Sequence, residues 1–338
     1  MKIATQQYLR RTTQTAFFVL FALAPVFDLL RYDLTQHHAY LFTYPWRLGI
    51  GILHAKEDDP LPAIFNLAVN LFIPFALLGI LLIGASWKWG RLYCGWLCPH
   101  FGVVEVFDHL MLIASGKKSL WARHSEPVSQ ALTSPGRRDR RMWGLLIPLA
   151  IATAFSWSLI GLTYLMPPSQ VYGGLLDGTL ASWETRFLAI ATTVLTVDFI
   201  FIRHLFCRYG CSVGLFQSLV WMLNPRALVI GADRTRLAEC SHCTIPCGPA
   251  GRGKADINPP LPASACDAVC PMRLKPRTLK RWMFSCTQCG LCLDACRDSN
   301  ANNPAGPLLY WQSGVSAQYG KAGFSAVSNT SPPSDGTI

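Results

Sequence analysis

Apolar residues in this chain fall into blocks. Four of them, running approximately from Thr12 to Leu30, Ala63 to Ala85, Met142 to Met166 and Phe187 to Ile202, approach or exceed the length of about 20 residues that a helix needs to cross a bilayer. The first and fourth carry one acid each near an end, Asp28 and Asp198. Four crossings bring the chain back to the face from which it started. A short pattern follows the second block and returns after the fourth: Leu92-Tyr93-Cys94-x₃-Cys98, then Leu205-Phe206-Cys207-x₃-Cys211. Each copy leads into a half-apolar stretch, FGVVEVFDHLMLI or SVGLFQSLVWML, too short to span and suited to lying at the interface. The duplication predicts two similar helical hairpins, each closed by a cysteine pair.

From Asn224 onward the blocks stop, and Pro, Gly, charged residues and nine cysteines take their place. The organisation expected is a membrane domain over 1–223, a small cysteine-rich domain over 224–298 and a C-terminal tail over 299–338. From Gly314 to Ile338 that tail is Ser, Gly, Ala and Pro without periodicity, the composition of a disordered segment.

Composition agrees with the blocks, at 51% hydrophobic and only 14% charged residues. The net charge of +11 raises nucleic acid as a partner. Its distribution argues otherwise. Lys88, Arg91, Lys117, Lys118, Arg123, Arg137, Arg138, Arg140 and Arg141 crowd between the second and third blocks, and Arg10 and Arg11 precede the first. The loops between hold only Arg31, Arg47 and Lys56 in one, and none from Pro167 to Trp183. The positive-inside rule reads this as a multi-pass protein of the cell inner (cytoplasmic) membrane, with both termini and all cysteines on the cytoplasmic side and lipid, not nucleic acid, as the partner. Arg10-Arg11 with Ala22-Leu23-Ala24 imitates a signal peptide, but Pro25 would follow the cut and three more blocks come later.

Thirteen cysteines on the reducing side call for ligation rather than disulfides. Cys286-x₂-Cys289-x₂-Cys292-x₃-Cys296 has the spacing with which three thiolates wrap one [4Fe–4S] cubane while the fourth reaches a second cluster. Cys240-x₂-Cys243 and Cys266-x₃-Cys270-Pro271 supply an altered twin. The assignment is one cluster on Cys240, Cys243, Cys266 and Cys296, and another on Cys286, Cys289, Cys292 and Cys270. Nine cysteines for eight places leave Cys247 as an alternative to Cys266. Structural zinc also uses C-x₂-C pairs, but it groups them two and two, unlike the compact run of four.

At i and i+4 on a helix, Cys94 with Cys98 and Cys207 with Cys211 would each share one face. Four thiolates meeting there would suit a third cluster, two or three would suit Cu(I), and buried inert thiols are the bland alternative. His100, His109 and His204 stand near these pairs as copper ligands, proton carriers or simple interfacial residues. His242 reads as a hydrogen-bond donor to the cluster. Asp28 and Asp198 read either as proton-handling groups or as helix-end caps.

GRLYCGWLCPH, LFCRYGCSVGLFQS and CTQCGLCLDAC, in that order after apolar spans, resemble the membrane polyferredoxins typified by NapH, MauN, the membrane part of NosR and CcoG (also FixG or RdxA). The resemblance covers approximately Arg91 to Trp311. It implies electron transfer at the cytoplasmic membrane, from quinol toward a protein redox partner or metalloenzyme maturation system, or copper reduction in oxidase assembly on the CcoG side. Carried over by position, the paired motifs fall on Cys94, Cys98, Cys207 and Cys211. The sequence departs from the pattern where Ser212 follows Cys211, where Thr244 to Ala265 lengthens a loop, and where Arg297 follows Cys296. CcoG-like members continue into a fifth span and a periplasmic domain, which the residues after Arg297 are not expected to supply.

The expected fold is thus an α-helical membrane domain of four transmembrane helices in two hairpins plus a small α+β ferredoxin-like domain. The expected activity is one-electron relay by an electron-transfer subunit, quinol-oxidising or Cu(II)-reducing if it is an enzyme at all. A redox-sensing membrane regulator is the third reading.

Overall fold

The structure, a computed structural model, describes residues 3–35, 38–46, 65, 68–115, 140–224, 227–232, 236, 265–276, 284–301 and 303–312. Cys240, His242, Cys243, Cys247, the lengthened loop up to 264, the tail from Gly314, and Arg47, Lys56, Lys117, Lys118, Arg123, Arg137 and Arg138 lie outside the described residues. The chain divides into two compact units, one of 14–84 with 141–203 and one of 1–13 with 85–140 and 204–338. That division cuts across the boundary expected at residue 223, because both membrane cysteine pairs fall in the same unit as the C-terminal cysteines.

Among the described residues, three helices are long and apolar enough to cross a membrane: Ala68–Trp89, Met142–Thr163 and Ser182–Ile202. They match the second, third and fourth expected blocks. The first expected block is shifted. Its helix, α1 (Ile3–Leu23), begins nine residues before Thr12 and ends before Pro25, and Leu30 opens a strand instead. The early start brings Gln6, Gln7, Arg10 and Arg11 into the helix. These polar residues keep it out of the apolar class.

Ala68–Trp89 opens with a π-helical turn and continues as α2 (Ile73–Trp89), and none of its most apolar window is buried. Short helices α3 (Leu92–Trp96) and α4 (Pro99–Ser115) follow. The next span, α5 (Met142–Thr163), buries Leu146, Ala150, Ala154, Ser158 and Leu162, spaced by four along one face. Small residues in the middle of that stripe permit close approach to the span Ser182–Ile202, the usual way helices pack where lipid surrounds them. The opposite face leaves Leu145, Ile147, Leu149 and Ile151 exposed, as a lipid-facing surface requires. Pro148 lies inside the helix, tolerated more readily in membrane helices than in soluble ones.

Between the first two helical blocks, β1 (Leu30–Asp33), β2 (His38–Leu41) and β3 (Tyr44–Trp46) form an antiparallel meander. The Tyr32 and Leu34 amides donate to the Tyr164 and Leu165 carbonyls at 2.9 and 3.0 Å, fastening the meander to the end of α5. Arg31 is not a solvated loop charge. It is buried, pairs with Asp33 at 3.0 Å and with Asp28, and covers the Tyr40 ring. Asp28 therefore sits in a turn as an ion-pair partner, with a positive φ of 53°.

The same unit holds α6 (Pro168–Asp177) and α7 (Ser182–Val197), whereas in the other unit α8 (Ser212–Leu223) leads to β4 (Val229–Ala232). That strand pairs antiparallel with β5 (Leu309–Gln312), Val229 opposite Gln312 and Ala232 opposite Leu309. Folded elements thus run past Arg297, and residues 309–312 pair with the strand that opens the cysteine-rich part. The core beneath this ribbon contains Val229, Ile230, Leu308 and Leu309 together with Cys266, Cys286, Cys289, Cys292 and Cys296.

Candidate metal centre

The run Cys286 to Cys296 is laid out by two backbone reversals. Gln288 adopts a φ of 55° and Gly290 one of 76°, just before helix α10 (Leu291–Ser299) begins. A left-handed conformation is costly for a residue with a side chain. Gln288 is fixed there by complete burial and by donating from Nε2 to the Leu228 carbonyl at 2.8 Å. The reversals turn the Gln288 amide toward the Cys286 sulfur and the Leu291 amide toward that of Cys289. Cys292 and Cys296 follow at i and i+4 on α10, where such spacing shares a face. Short helix α9 (Ala265–Ala268) carries Cys266 and packs on α10, and the turn after it carries Cys270.

The charge of a Cys292 thiolate is opposed by Cys289, Cys286, Cys270 and Cys266, in that order. The structure therefore brings Cys270, Cys286, Cys289 and Cys292 together, with Cys266 alongside. Burial is the first cause of their reluctance to ionise: it pushes Cys286 and Cys289 up to about 12 and, with the neighbouring thiols, Cys292 well above its ordinary value. Thiols in this state stay protonated near neutral pH unless a metal displaces the protons, as coordinating cations do. Amide donors are already aimed at the sulfurs. Leu274 N lies 3.4 Å from Cys270 Sγ, Leu308 N 3.4 Å from Cys296 Sγ, and Asn300 Nδ2 3.7 Å from the same sulfur. Buried clustered thiols with N–H donors fit an iron–sulfur cluster, whose potential such donors tune. Among the described residues no group of three or more His, Cys, Asp or Glu is gathered tightly enough to hold a single ion.

The two membrane pairs do not sit on continuous helices, contrary to expectation. Cys94 lies in α3, whereas Cys98 follows that helix and immediately precedes Pro99 at the start of α4. Cys207 lies in a π-helical turn, Phe206–Gly210, and Cys211 is extended and caps α8, its sulfur 3.4 Å from the Gly214 amide. The Phe101 and His100 amides serve Cys98 in the same way. A proline at the first helical position in one copy and an extended residue in the other break the helix between the two cysteines. The second sulfur of each pair thus occupies a helix N-terminus, where the dipole favours an anion.

Cys94, Cys98 and Cys211 come together all the same. Each raises Tyr93, which burial first and these thiols second push up to about 12. Burial also raises Cys94, and lifts Cys98 to about 11. Cys94 Sγ donates to Gln217 Oε1 at 3.2 Å, and Cys207 Sγ lies 3.6 Å from His100 Nδ1. His204 is buried, its Nε2 2.9 Å from Asp108 Oδ2 and its ring packed on Phe101, rather than a water-satisfied surface group. His109 is exposed.

The membrane motif and the C-terminal loop touch. A Cβ on Gly95 would collide with the Thr287 carbonyl oxygen and stand 3.1 Å from Cys289 N and Cα, so glycine alone fits between Cys94 and Trp96. Trp96 Nε1 donates to the Gln288 carbonyl at 3.1 Å. Two arginines that sequence reasoning counted as flanking charges are buried beside this contact. Arg10 donates to both Glu105 oxygens at 2.8 Å and to the Gly95 carbonyl at 3.3 Å. Arg91 donates to the Phe284 and Cys207 carbonyls at 3.0 and 3.1 Å. The signal that separates Arg91 from its neighbours is its place inside the first motif, three residues before Cys94.

Comparison with known proteins shows the class that the chain is similar to. A family model described as a 4Fe-4S binding domain matches residues 69–118 and 184–229, two segments that each contain a span end, a cysteine pair and the helix after it. Among curated proteins, the chain is 25% identical to protein RdxA of Cereibacter sphaeroides over 65% of this chain and 44% of that protein. It is 26% identical to the methylamine utilization ferredoxin-type protein MauN of Methylorubrum extorquens, over 57% of this chain and 60% of MauN. To the nitrogen fixation protein FixG of Rhizobium meliloti it is 25% identical, over 61% of this chain and 37% of FixG. The chain thus spans less than two thirds of the length of these relatives. These matches make the chain similar to membrane-associated ferredoxin-type electron transport proteins, the family its motifs resemble. No solved structure matches.

Proposed function

We propose that the chain is a membrane-bound relay that passes single electrons between the quinol pool and a protein redox partner or metalloenzyme maturation system. The observation that carries this reading is the contact of the Gly95 turn with the Cys289 loop, which sets membrane thiols and C-terminal thiols side by side in one unit. Clusters of the [4Fe–4S] type, when bound, supply reversible one-electron storage. Cys270, Cys286, Cys289 and Cys292 hold one of them, and Cys266 and Cys296 hold a second together with Cys240 and Cys243, Cys247 standing in for Cys266 if that position is spare. The loop amides orient and stabilise the thiolates, and the apolar core excludes water from them.

In this reading α1 is the first of four spans, the ferredoxin-like domain occupies 224–298 with β5 completing it, and all cysteines face the cytoplasm across the inner membrane. A second reading concerns the membrane pairs alone. Convergence of Cys94, Cys98 and Cys211 favours a further thiolate site, either a third cluster or Cu(I), the latter placing the chain with copper reductases of oxidase assembly. The test is to add a short-chain quinol to anaerobic, oxidised protein in nanodiscs and follow the visible absorbance of the clusters. Bleaching by quinol at a rate that depends on its concentration supports the relay. Bleaching by dithionite alone contradicts the quinol assignment.

A further inference from the structure

We propose that Arg91 is the built-in counter-charge of the cluster held by the Cys286 loop, and that its guanidinium sets the reduction potential there. The inference rests on the reading that these thiols bind an iron–sulfur cluster. Its starting point is a contrast between two buried cations in one unit. Arg10, 2% exposed, is neutralised by the Glu105 carboxylate at 2.8 Å. Arg91 is 1% exposed, and among the described residues no carboxylate pairs with it. Its hydrogen bonds go to two neutral carbonyls, and its Nε has no partner.

Burying a guanidinium costs several kcal/mol unless an anion compensates it. Among the described residues, the groups on which the charge of Arg91 acts are thiols. It acts on Cys94 and on Cys286, the latter two residues beyond the Phe284 carbonyl that Arg91 grips. Four thiolates on a cubane give the assembly a net negative charge, which one further electron increases. A fixed cation beside it favours the reduced form. The surroundings are shaped for this side chain: a Cβ on Gly214 would collide with the guanidinium, and Ser218 Oγ supports the same Phe284 carbonyl at 2.7 Å. Arg91 is thus a positioning and potential-setting residue. Through the Cys207 carbonyl it ties the second membrane motif to the same loop.

The test is an EPR-monitored redox titration of the full chain, with iron counted in each sample, for wild type, Arg91→Gln, Arg91→Lys and Ser218→Ala. Arg91→Gln is expected to keep its iron and to disfavour reduction about tenfold, a fall of about 59 mV for a one-electron couple. Arg91→Lys, which keeps the charge and loses the fork, stays within about threefold of wild type, or roughly 30 mV. Ser218→Ala, which loosens the same carbonyl without touching charge, does not move the potential. A wild-type potential in Arg91→Gln, or an equal fall in Arg91→Lys, overturns the proposal. If Arg91→Gln fails to hold iron, Arg91→Lys decides: full iron at the wild-type potential supports the counter-charge, and loss of iron shows that shape rather than charge is needed. Wild-type protein without iron refutes the functional reading instead, before the variants are compared.

Discussion

The C-terminal cysteine loop and the membrane cysteine pairs solve the same problem with different backbones. Around Cys286, Cys289 and Cys292 the chain reverses twice within five residues, and local amides reach the sulfurs from the loop itself. At the membrane pairs the second sulfur caps a helix that runs away from the site, so the donors come from a helix N-terminus. The first design gathers its thiols from one short loop into a buried core. The second collects Cys94, Cys98 and Cys211 from two sequence repeats, so its composition depends on tertiary packing. The lesson is that spacing alone specifies a site only where the turns that use it are local.

The largest expected effect comes from breaking the local site. Cys289→Ser or Cys292→Ser should remove about four of eight irons, and with them one reduced-state EPR signal. Replacing Cys94 and Cys98 by Ser should leave both ferredoxin-type signals intact while abolishing any further iron or Cu(I), measured by metal analysis. Equal damage from both sets of substitutions would mean that the two regions form one site.

Separating the regions sterically comes next. Gly95→Ala forces a methyl group into the Thr287 carbonyl and the Cys289 backbone, an overpacking that costs about 1–3 kcal/mol. It should slow quinol-driven bleaching at least tenfold without lowering the iron count. Glu105→Gln leaves Arg10 buried without its anion, with an expected loss of about 3 kcal/mol in detergent unfolding, since breaking a largely buried pair strands the remaining charge.

The smallest effect is a pH dependence confined to iron-free protein. Burial raises Cys286 and Cys289 from an ordinary 9.0 to about 12. Their neutral thiols favour the folded apoprotein fully below pH 9, and this advantage is lost as pH rises from 9 toward 12, where the unfolded chain ionises first. The melting temperature of apoprotein should therefore fall across that window more steeply than that of iron-loaded protein, whose sulfurs carry no protons.

Much of this architecture is legible in the sequence because it follows from local rules. Met142–Thr163 stands out through a long apolar run without a single charge, and the cysteine run through its spacing. Other parts depend on partners distant in the chain. Arg10 and Arg91 look like interfacial charges until Glu105 in one case, and the Phe284 and Cys207 carbonyls in the other, are brought to them by folding. The helix break inside each membrane pair follows from Pro99 and from the extended conformation of Cys211, which spacing by four conceals. Strand β5 is invisible alone, because a four-residue strand becomes one only when Val229–Ala232, some eighty residues earlier, pairs with it. The early start of α1 is hidden for the same reason: Gln7 is an unfavourable residue in an apolar block until folding gives its side chain Asp294 to donate to, at 2.5 Å.

The most direct test of the central claim is a count of iron and acid-labile sulfide in anaerobically purified full chain, combined with EPR after dithionite. About eight irons with matching sulfide and the spectrum of reduced cubanes is the predicted result, rising to about twelve if the membrane pairs hold a third cluster. Stoichiometric zinc without sulfide, or a silent spectrum from protein that keeps its iron, would contradict it.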